Sequence, residues 1–344
     1  MPVATQIHLA RRPEGEPVPS DFRAEEIELP ARRPDEVLVR NVLMSVDPYM
    51  RVKMADLATY PSWALGDPLD GSAIGVVEQS SLPALPVGAV VAHRRGWRDI
   101  ALLPASEARR IEPDATVSLT AHLDVLGMTG LTAYIGLTRI AALQPGEDLW
   151  VSGAAGAVGA AVGQIAKLLG AGRVVGSAGS PDKVAQLVGE LGYDAGFDYH
   201  VPDLGVALAG VAPDGIDVYF DNVGDAHLEA ALGAIRPHGR IVVCGASNQY
   251  NNLGERPGPR NLINILTQRV RVEGFTVREH LDGYEEFIER ASGWIRDGRL
   301  KATVTVVDGL ENAVDAFRQL LRGAHRGKML VRLAPTPPGF ADSV

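Results

Sequence analysis

Val151-Ser-Gly153-Ala-Ala-Gly156-Ala157-Val158-Gly159 places three glycines three residues apart. It follows the short apolar segment Asp148–Ser152, which predicts a strand, and it opens the helix-like segment Ala157–Leu169. Glycines at this spacing permit a tight turn and let the backbone approach a pyrophosphate, while the helix start offers unpaired N–H groups. Glycine spacing alone is also compatible with a tightly packed strand–helix turn. Between a strand and a helix, it favours a dinucleotide site.

The alternation of strands and helices continues beyond this loop. The spacing predicts helices over Leu131–Leu143, Lys183–Leu191 and Leu228–Ile235. It predicts strands over Val174–Ser177, within Gly215–Asp221 and within Gly239–Gly245. Because strand and helix alternate at βαβ spacing, we expect a doubly wound parallel sheet with helices on both faces.

The flanking regions have a different sequence pattern, in which short apolar segments are bounded by Gly and Pro residues. Strands are predicted at Pro34–Met44, Val76–Glu78 and Val87–His93 and again at Thr303–Val307 and Lys328–Leu333, with a helix at Leu310–Leu321. The last segment is expected to return to the first domain, because chain ends often lie close together. The predicted domains are therefore residues 1–123 with 301–344, and residues 124–300.

Composition excludes several classes of partner. The 344 residues carry 33 Lys and Arg against 42 Asp and Glu, a net charge of −9, so nucleic acid and anionic membranes are unfavourable partners. The one cysteine, Cys244, allows no internal disulfide and no multi-cysteine metal site. With no signal pattern and no long apolar run, the expected location is cytoplasmic.

The second predicted strand indicates which nucleotide is bound. An NAD site usually places an acidic residue near the end of this strand, yet Val174-Val-Gly-Ser-Ala-Gly-Ser180 contains none. Lys183 follows and would offset the charge of a 2′-phosphate, although a solvated helix lysine is the common alternative. NADPH is therefore expected rather than NADH.

Motifs along most of the chain, from about residue 35 to 333, resemble the zinc-independent medium-chain reductases. The resemblance is to the branch of prostaglandin reductases and alkenal double-bond reductases. It rests on the glycine loop and on Ser45-Val-Asp-Pro-Tyr49-Met-Arg51, Leu126-Gly-Met-Thr-Gly-Leu-Thr-Ala-Tyr134, Asp221-Asn222-Val-Gly224, Cys244-Gly245 with Tyr250-Asn251, Glu273-Gly-Phe275 and Gly327-Lys328.

The resemblance implies a Rossmann domain inserted into a GroES-like, β-rich substrate domain. It implies a cofactor site built from Gly156, Ala157, Val158, Gly159, Lys183, Tyr199, Asn222, Cys244, Gly245, Phe275, Thr276, Val277 and His325. It also implies a homodimer, paired through an edge of the Rossmann domain.

The implied reaction is NADPH-dependent reduction of the C=C bond of an α,β-unsaturated aldehyde or ketone. Tyr250 is the candidate donor to the developing enolate oxygen, with ring packing as its alternative role. Tyr49 and Arg51 are candidate substrate residues; alternatively, Tyr49 covers core and Arg51 fixes the turn. Two other hypotheses for the function are a zinc-free quinone reductase and a non-catalytic NADPH-binding or redox-sensing protein.

Two positions depart from the family pattern. Ser247-Asn248 stands where Ile-Ser is usual, and His325 stands where an Asn is typical. Both bear on the polar contacts of the pocket, as do the loops Asp56–Asp70 and Gln249–Arg260, the second a candidate mobile lid. The eight histidines show no pair at metal-ligand spacing, so no catalytic metal is expected.

Overall fold

The computed structural model describes residues 1–252, 254 and 258–341. The chain forms two compact units, one inserted into the other. The outer unit comprises Met1–Leu123, Val304–His325 and the chain from Met329 onward. The inserted unit comprises Asp124–Thr303 and Arg326–Lys328.

The N-terminal part of the outer unit is rich in short strands, because β-branched segments alternate with Gly and Pro turns. The strands β1 (Val3–Leu9) and β2 (Phe22–Glu28) pair antiparallel with each other. Further along the chain come β3 (Glu36–Ser45), the short helix α1 (Tyr49–Lys53), β4 (Ala73–Gln79), β5 (Val90–His93), β6 (Ile100–Pro104) and β7 (Arg109–Ile111).

A six-stranded parallel sheet forms the centre of the inserted unit. Its strands are β8 (Leu149–Val151), β9 (Val174–Ala178), β10 (Ala195–Asp198), β11 (Ile216–Asp221), β12 (Ile235–Val243) and β13 (Arg271–Gly274). The spatial order is β10-β9-β8-β11-β12-β13. The order reverses direction between β8 and β11, which makes the carboxyl end of β8 a topological switch point.

Seven helices accompany this sheet among the described residues. They are α2 (Met128–Ile135), α3 (Ala157–Leu168), α4 (Pro181–Gly189), α5 (Leu204–Val211), α6 (Ala226–Ala234), α7 (Ile263–Thr267) and α8 (Tyr284–Arg296). Trp150 stacks on Tyr219 with ring centroids 4.5 Å apart, within a buried cluster that includes Ile216 and Ile241.

The chain then returns to the outer unit with β14 (Val304–Asp308), α9 (Ala313–Leu321) and β15 (Lys328–Arg332). The larger outer sheet has the order β14-β15-β3-β4-β5-β7, and β6 also pairs with β3. Its core contains Trp97, which packs edge-on against Phe317 at 6.0 Å. The predicted fold, a doubly wound parallel sheet inserted into a β-rich domain, is confirmed.

Several predicted boundaries are shifted in the structure. The segment Leu131–Leu143 contains the end of α2 and then one π turn, Gly136–Ile140, rather than one continuous helix. The segment Leu310–Leu321 begins with a 3-10 turn before α9. A π turn inserts one residue into the helical ladder, which the apolar spacing of a sequence does not reveal.

Candidate functional site

The predicted cofactor residues of the inserted unit share one edge of its sheet. Every one of them follows the carboxyl end of a strand, where parallel sheets bind their ligands. The contributions are Gly156, Ala157, Val158 and Gly159 after β8, Lys183 after β9, Tyr199 after β10, Asn222 after β11, Cys244 and Gly245 after β12, and Phe275, Thr276 and Val277 after β13.

The glycine loop lies at the switch point and is closed by its own backbone. Gly153 has φ +58°, a left-handed conformation that favours glycine. A Cβ on Gly159 would lie 2.4 Å from the carbonyl oxygen of Gly153, so only a glycine allows α3 to approach the loop this closely. Gly156 is extended and precedes the first helical residue, Ala157. The loop is thus a cradle that a side chain would fill, and it suits a pyrophosphate.

A buried carboxylate, Asp221, organises the next loop. Its Oδ1 accepts hydrogen bonds from Tyr219 Oη at 2.8 Å, Ser152 Oγ at 3.2 Å and the backbone N–H groups of Val223 and Gly224 at 2.9 and 2.8 Å. Burial raises the pKa of Asp221 despite these donors. Asp221 therefore fixes the turn that carries Asn222.

Asn222 is tied to the strand that precedes the glycine loop. Its side-chain amide donates to the carbonyl oxygen of Ser152 at 2.8 Å, and its backbone N–H donates to Ser152 Oγ at 3.0 Å. The loops that follow β8 and β11 are therefore held together on both sides of the switch point. The sequence identified Asn222 but not its hydrogen-bond partner Ser152, nor the carboxylate of Asp221 that holds the turn.

The turn after β12 is attached to the same aspartate through the main chain. The N–H groups of Cys244 and Gly245 donate to the carbonyl oxygen of Asp221 at 2.9 and 3.0 Å. Burial, with a contribution from the charge of Asp221, raises the pKa of the Cys244 thiol to about 12. The Cys244 thiol is therefore neutral at physiological pH, and this turn presents backbone and an uncharged sulfur.

Tyr250 lies over this turn. Its hydroxyl accepts a hydrogen bond from the N–H of Ala246 at 3.3 Å, and a Cβ on Gly245 would lie 3.1 Å from that hydroxyl. The structure therefore brings Tyr250 next to the predicted cofactor residue Gly245. The lid predicted at Gln249–Arg260 includes residues 253 and 255–257, which lie outside the described residues.

The segment before Tyr250 is anchored to the loop that follows β11. Gln249 Nε2 donates to Asp225 Oδ1 at 2.7 Å, and the N–H of Ser247 donates to the carbonyl oxygen of Asn222 at 3.2 Å. Asp225 has φ +50°, a strained conformation for a residue with a side chain. The predicted cofactor loop and the predicted catalytic tyrosine are thus linked within one unit.

At the end of β9, Lys183 and Tyr199 come near one turn. Ser180 caps α4 by accepting a hydrogen bond from the N–H of Lys183 at 3.3 Å. A Cβ on Gly179 would lie 2.6 Å from Tyr199 Oη, so the tyrosine hydroxyl rests on the turn that precedes the helix. Burial, and then the positive charge of Arg326, lower the pKa of Lys183. Arg326 was not identified from the sequence.

On the last loop of the sheet, Phe275 is supported by the π turn. A Cβ on Gly136 would lie 2.5 Å from the ring of Phe220 and 3.2 Å from the ring of Phe275. Thr276 and Val277 continue from Phe275 into a 3-10 turn. A glycine at position 136 therefore lets two aromatic rings approach the helix backbone closely.

In the outer unit, Tyr49 begins α1, and its hydroxyl accepts a hydrogen bond from Arg94 Nη2 at 3.3 Å. Burial, and then the nearby Asp47 carboxylate, raise the pKa of Tyr49 to about 12, so this hydroxyl keeps its proton at neutral pH. Arg94 also lines a polar cavity of about 350 Å³, together with Asp67, Pro68, Asp70, Arg95, Arg98 and Glu107.

Arg51 is directed inward within the outer unit. It is buried, and its guanidinium donates to the carbonyl oxygen of Gly15 at 2.8 and 3.1 Å and to that of Pro13 at 3.4 Å. Arg51 thus fixes the segment between β1 and β2, and its substrate role stays a prediction. His325 is also part of the outer unit, directly before Arg326 of the inserted unit.

Two further features of the described part of the chain concern metal ligands and apolar helices. No group of three or more His, Cys, Asp or Glu side chains there is placed to hold a metal ion. In the same residues, no helix combines the length and apolar character that crossing a membrane requires.

Two family models match the chain. The model described as the N-terminal domain of oxidoreductase matches residues 5–111, and the one described as zinc-binding dehydrogenase matches residues 157–293. The second description names zinc, but the described residues contain no group of three or more side chains placed to bind a metal ion.

Known proteins resemble the chain over nearly its whole length. It is 37% identical to the NADPH-dependent curcumin reductase of Escherichia coli (strain K12), over 95% of this chain and 96% of that protein. It is 36% identical to the NADP(+)-dependent 2-alkenal reductase of Nicotiana tabacum, over 96% and 97%. It is 38% identical to prostaglandin reductase 1 of Rattus norvegicus, over 93% and 96%.

A solved structure shows the same likeness in three dimensions. CurA from Vibrio vulnificus, in complex with NADPH, superposes with a TM-score of 0.91 and 35% sequence identity, over 97% of this chain and 100% of that one. The chain therefore belongs to the zinc-independent branch of the medium-chain dehydrogenase/reductase family, the branch of the prostaglandin and 2-alkenal reductases.

Proposed function

We propose that this protein reduces the C=C bond of α,β-unsaturated aldehydes or ketones with NADPH. The observation that carries the proposal is the glycine loop at the switch point, with Lys183 after β9, Tyr199 after β10 and no acidic residue in 174–180. The relatives named as curcumin, 2-alkenal and prostaglandin reductases support the same chemistry.

The residues present fit NADPH. The cradle at Gly156–Gly159 suits the pyrophosphate, and Lys183 with Tyr199 would hold the 2′-phosphate end. Asn222, Cys244 and Gly245 would line the path toward the nicotinamide, with the segment Phe275–Val277 beside it and His325 as a further contact. NADPH supplies the hydride when bound, and the protein supplies binding, orientation and electrostatics.

Tyr250 is proposed to donate a hydrogen bond to the substrate carbonyl oxygen as negative charge develops there. A tyrosine hydroxyl is protonated at neutral pH, so it can stabilise an enolate oxygen. In the hydrogen bond from the N–H of Ala246, the hydroxyl of Tyr250 is the acceptor. The tie between Gln249 and Asp225 would keep this hydroxyl in place.

Tyr49 is proposed to contact the substrate, with Arg51 fixing the backbone nearby. The hydrogen bond from Arg94 makes the Tyr49 hydroxyl an acceptor toward the arginine and a donor toward any other group. Arg51 would act through the segment that contains Gly15 rather than by direct contact.

The proposal is tested by following the loss of NADPH absorbance with a 2-alkenal, an aryl enone, a quinone and a saturated aldehyde. Each assay is repeated with NADH and with a chelator. We expect turnover of the alkenal or enone with NADPH, unchanged by the chelator. Turnover of the quinone alone would move the protein to the quinone reductases. Binding of NADPH without any turnover would leave a cofactor-binding protein.

We also propose that the protein is a homodimer, joined along β13. This strand ends the order of the sheet, and all four of its residues are exposed. Exposed edge strands favour pairing with another chain. Large apolar side chains are exposed on this strand, at Val272 (41% accessible), and in the segment that precedes it, at Leu262, Ile263 and Leu266 (52%, 61% and 73%).

Light scattering after size exclusion tests the dimer. We expect twice the chain mass for the wild type and the monomer mass for a Leu266→Asp variant, since a charge on the apolar surface opposes its burial. A monomeric wild type at micromolar concentration would reject the proposal.

A further inference from the structure

Near its C-terminus the chain pairs with the glycine loop. The N–H of Gly327 donates to the carbonyl oxygen of Ala155 at 2.8 Å, and the N–H of Lys328 donates to that of Thr303 at 2.7 Å. Gly327 has φ +62°, and a Cβ there would lie 1.9 Å from the Thr303 oxygen. Only glycine fits this bridge, so the position of Arg326, one residue earlier, is fixed relative to the loop.

Arg326 lies beside the first turn of α4. Its Nη2 is 3.9 Å from Asp182 Oδ2; the side chain of Arg326 is half-exposed and that of Asp182 is exposed. Lys183 is the next residue of that turn, and the charge of Arg326 acts on it, lowering the pKa of Lys183 in addition to the effect of burial. Two cations thus meet at one turn, around a carboxylate at a distance too long for a strong ion pair.

Tyr199 bounds the same turn. Its N–H donates to the carbonyl oxygen of Ala178 at 3.0 Å, and its hydroxyl rests against Gly179. Three separate segments of the inserted unit therefore contribute to this turn: they supply the hydroxyl of Tyr199, the ammonium of Lys183 and the guanidinium of Arg326. This set of donors suits a phosphate monoester.

We infer that Arg326 determines specificity for the 2′-phosphate of NADPH, sharing that anion with Lys183. The inference rests on the proposed function. Two neighbouring cations repel each other, and the attraction of both to a dianion between them outweighs this repulsion. The planar guanidinium can donate two parallel hydrogen bonds to phosphate oxygens, which a lysine cannot. Asp182 is the competing acceptor that Arg326 leaves when the phosphate binds.

The experiment uses adenosine 2′,5′-bisphosphate and 5′-AMP, which differ only in the 2′-phosphate. Calorimetry measures the Kd of both ligands for the wild type, Arg326→Ala and Arg326→Lys. Arg322→Ala is the matched control, because Arg322 is an exposed arginine that pairs with Glu16 at 2.6 Å.

For Arg326→Ala we expect the Kd of the bisphosphate to rise on the order of tenfold, as for loss of a charge-assisted hydrogen bond, with 5′-AMP changed less than about twofold. Arg326→Lys should fall between the wild type and Arg326→Ala. Asp182→Asn should lower the Kd of the bisphosphate by about threefold, because it removes the competing carboxylate. Arg322→Ala should leave the Kd of both ligands unchanged.

An unchanged Kd for the bisphosphate in Arg326→Ala, or an equal loss for both ligands, would overturn the assignment of Arg326. A wild type that does not prefer the bisphosphate over 5′-AMP would instead overturn the NADPH preference itself. The two failures are therefore distinguishable in one set of titrations.

Discussion

The hydroxyl of Tyr193 donates a 2.7 Å hydrogen bond to the carbonyl oxygen of Gly159, the last glycine of the phosphate loop. The ring of the same tyrosine lies on Gly163, where a Cβ would come within 2.1 Å of it. The first half of α3 is therefore held against a buried aromatic side chain. The glycine at position 163, one turn beyond the loop, serves packing rather than the ligand.

Gly163→Ala is expected to destabilise the protein by about 1–3 kcal/mol, because the added methyl overlaps the Tyr193 ring and overpacks the core. Urea unfolding measures the change. Gly293→Ala is the matched control, since Gly293 lies inside α8 with nothing within 4 Å of an added Cβ. That control should gain about 0.5–1 kcal/mol from lower backbone entropy. A neutral Gly163→Ala would contradict the packing argument.

Lys183→Ala should raise the KM for NADPH on the order of tenfold or more, while the KM for NADH changes little. The reason is that only NADPH carries the phosphate that the ammonium would meet. Steady-state kinetics with both cofactors measures the effect. Lys301→Ala, which removes an exposed lysine of the same unit, should affect neither constant. An equal loss with both cofactors would reject the role of Lys183.

Tyr250→Phe should lower kcat by roughly a hundredfold, because it removes the donor to the enolate oxygen. NADPH affinity should change little, since the ring and its packing over Gly245 remain. Stopped-flow hydride transfer and cofactor titration separate the two quantities. Tyr284→Phe, which removes a hydroxyl that donates to Leu126 at 3.4 Å, is the control. Unchanged turnover in Tyr250→Phe would leave the tyrosine a packing role.

Cys244 should resist alkylation in the folded protein. Burial raises its pKa to about 12, and the reactive thiolate is scarce at pH 8 for such a thiol. Mass spectrometry after iodoacetamide treatment should detect little label in native protein and full label in urea. Rapid native labelling at pH 8 would show that the thiol is more acidic than its surroundings imply.

Acid should destabilise the fold through His227. This buried ring lies 5.9 Å from the ring of Trp150 and 5.4 Å from that of Tyr199, and burial lowers its pKa to about 4. An unfolded histidine binds a proton below about pH 6.5, whereas the folded one does so only near its lowered pKa. The free energy of unfolding should therefore fall as pH drops through this window, by up to about 1.4 kcal/mol per pH unit for one group.

Urea unfolding at pH 7, 6 and 5 measures this slope. His227→Phe keeps an aromatic ring but removes the titrating group, so its slope should be smaller by about one bound proton. The buried His93, whose pKa burial lowers to about 3, contributes equally to both proteins. Parallel slopes for the two proteins would show that His227 does not titrate in this range.

The strands that sequence patterns identified are those with apolar faces. The inner strands β8, β9, β11 and β12 are rich in Val, Ile and Leu, and each lies between two neighbours in the sheet. The edge strands β10 (Ala-Gly-Phe-Asp) and β13 (Arg-Val-Glu-Gly) were not predicted, and neither was β2, which carries four charged residues. An edge or exposed strand buries little, so its sequence keeps no apolar pattern.

The candidate site also contains residues that the sequence identified and contacts that it did not. Gly153, Gly156 and Gly159 were recognisable because the chemistry of a phosphate loop is local in sequence. The network of Asp221 and the approach of Arg326 to Lys183 depend on residues far apart in the chain. No spacing rule reports such contacts, since they follow from the order of strands around the switch point.

The bridge between Gly156 and Gly327 joins the glycine loop to a segment that is made much later in synthesis. Ribosomes make the chain from its N-terminus, so the glycine loop emerges long before the strand segment that pairs with it. A chain made only as far as α3 lacks Arg326 and the backbone partner of Ala155. The glycine loop therefore gains this main-chain support only once Gly327 has been made.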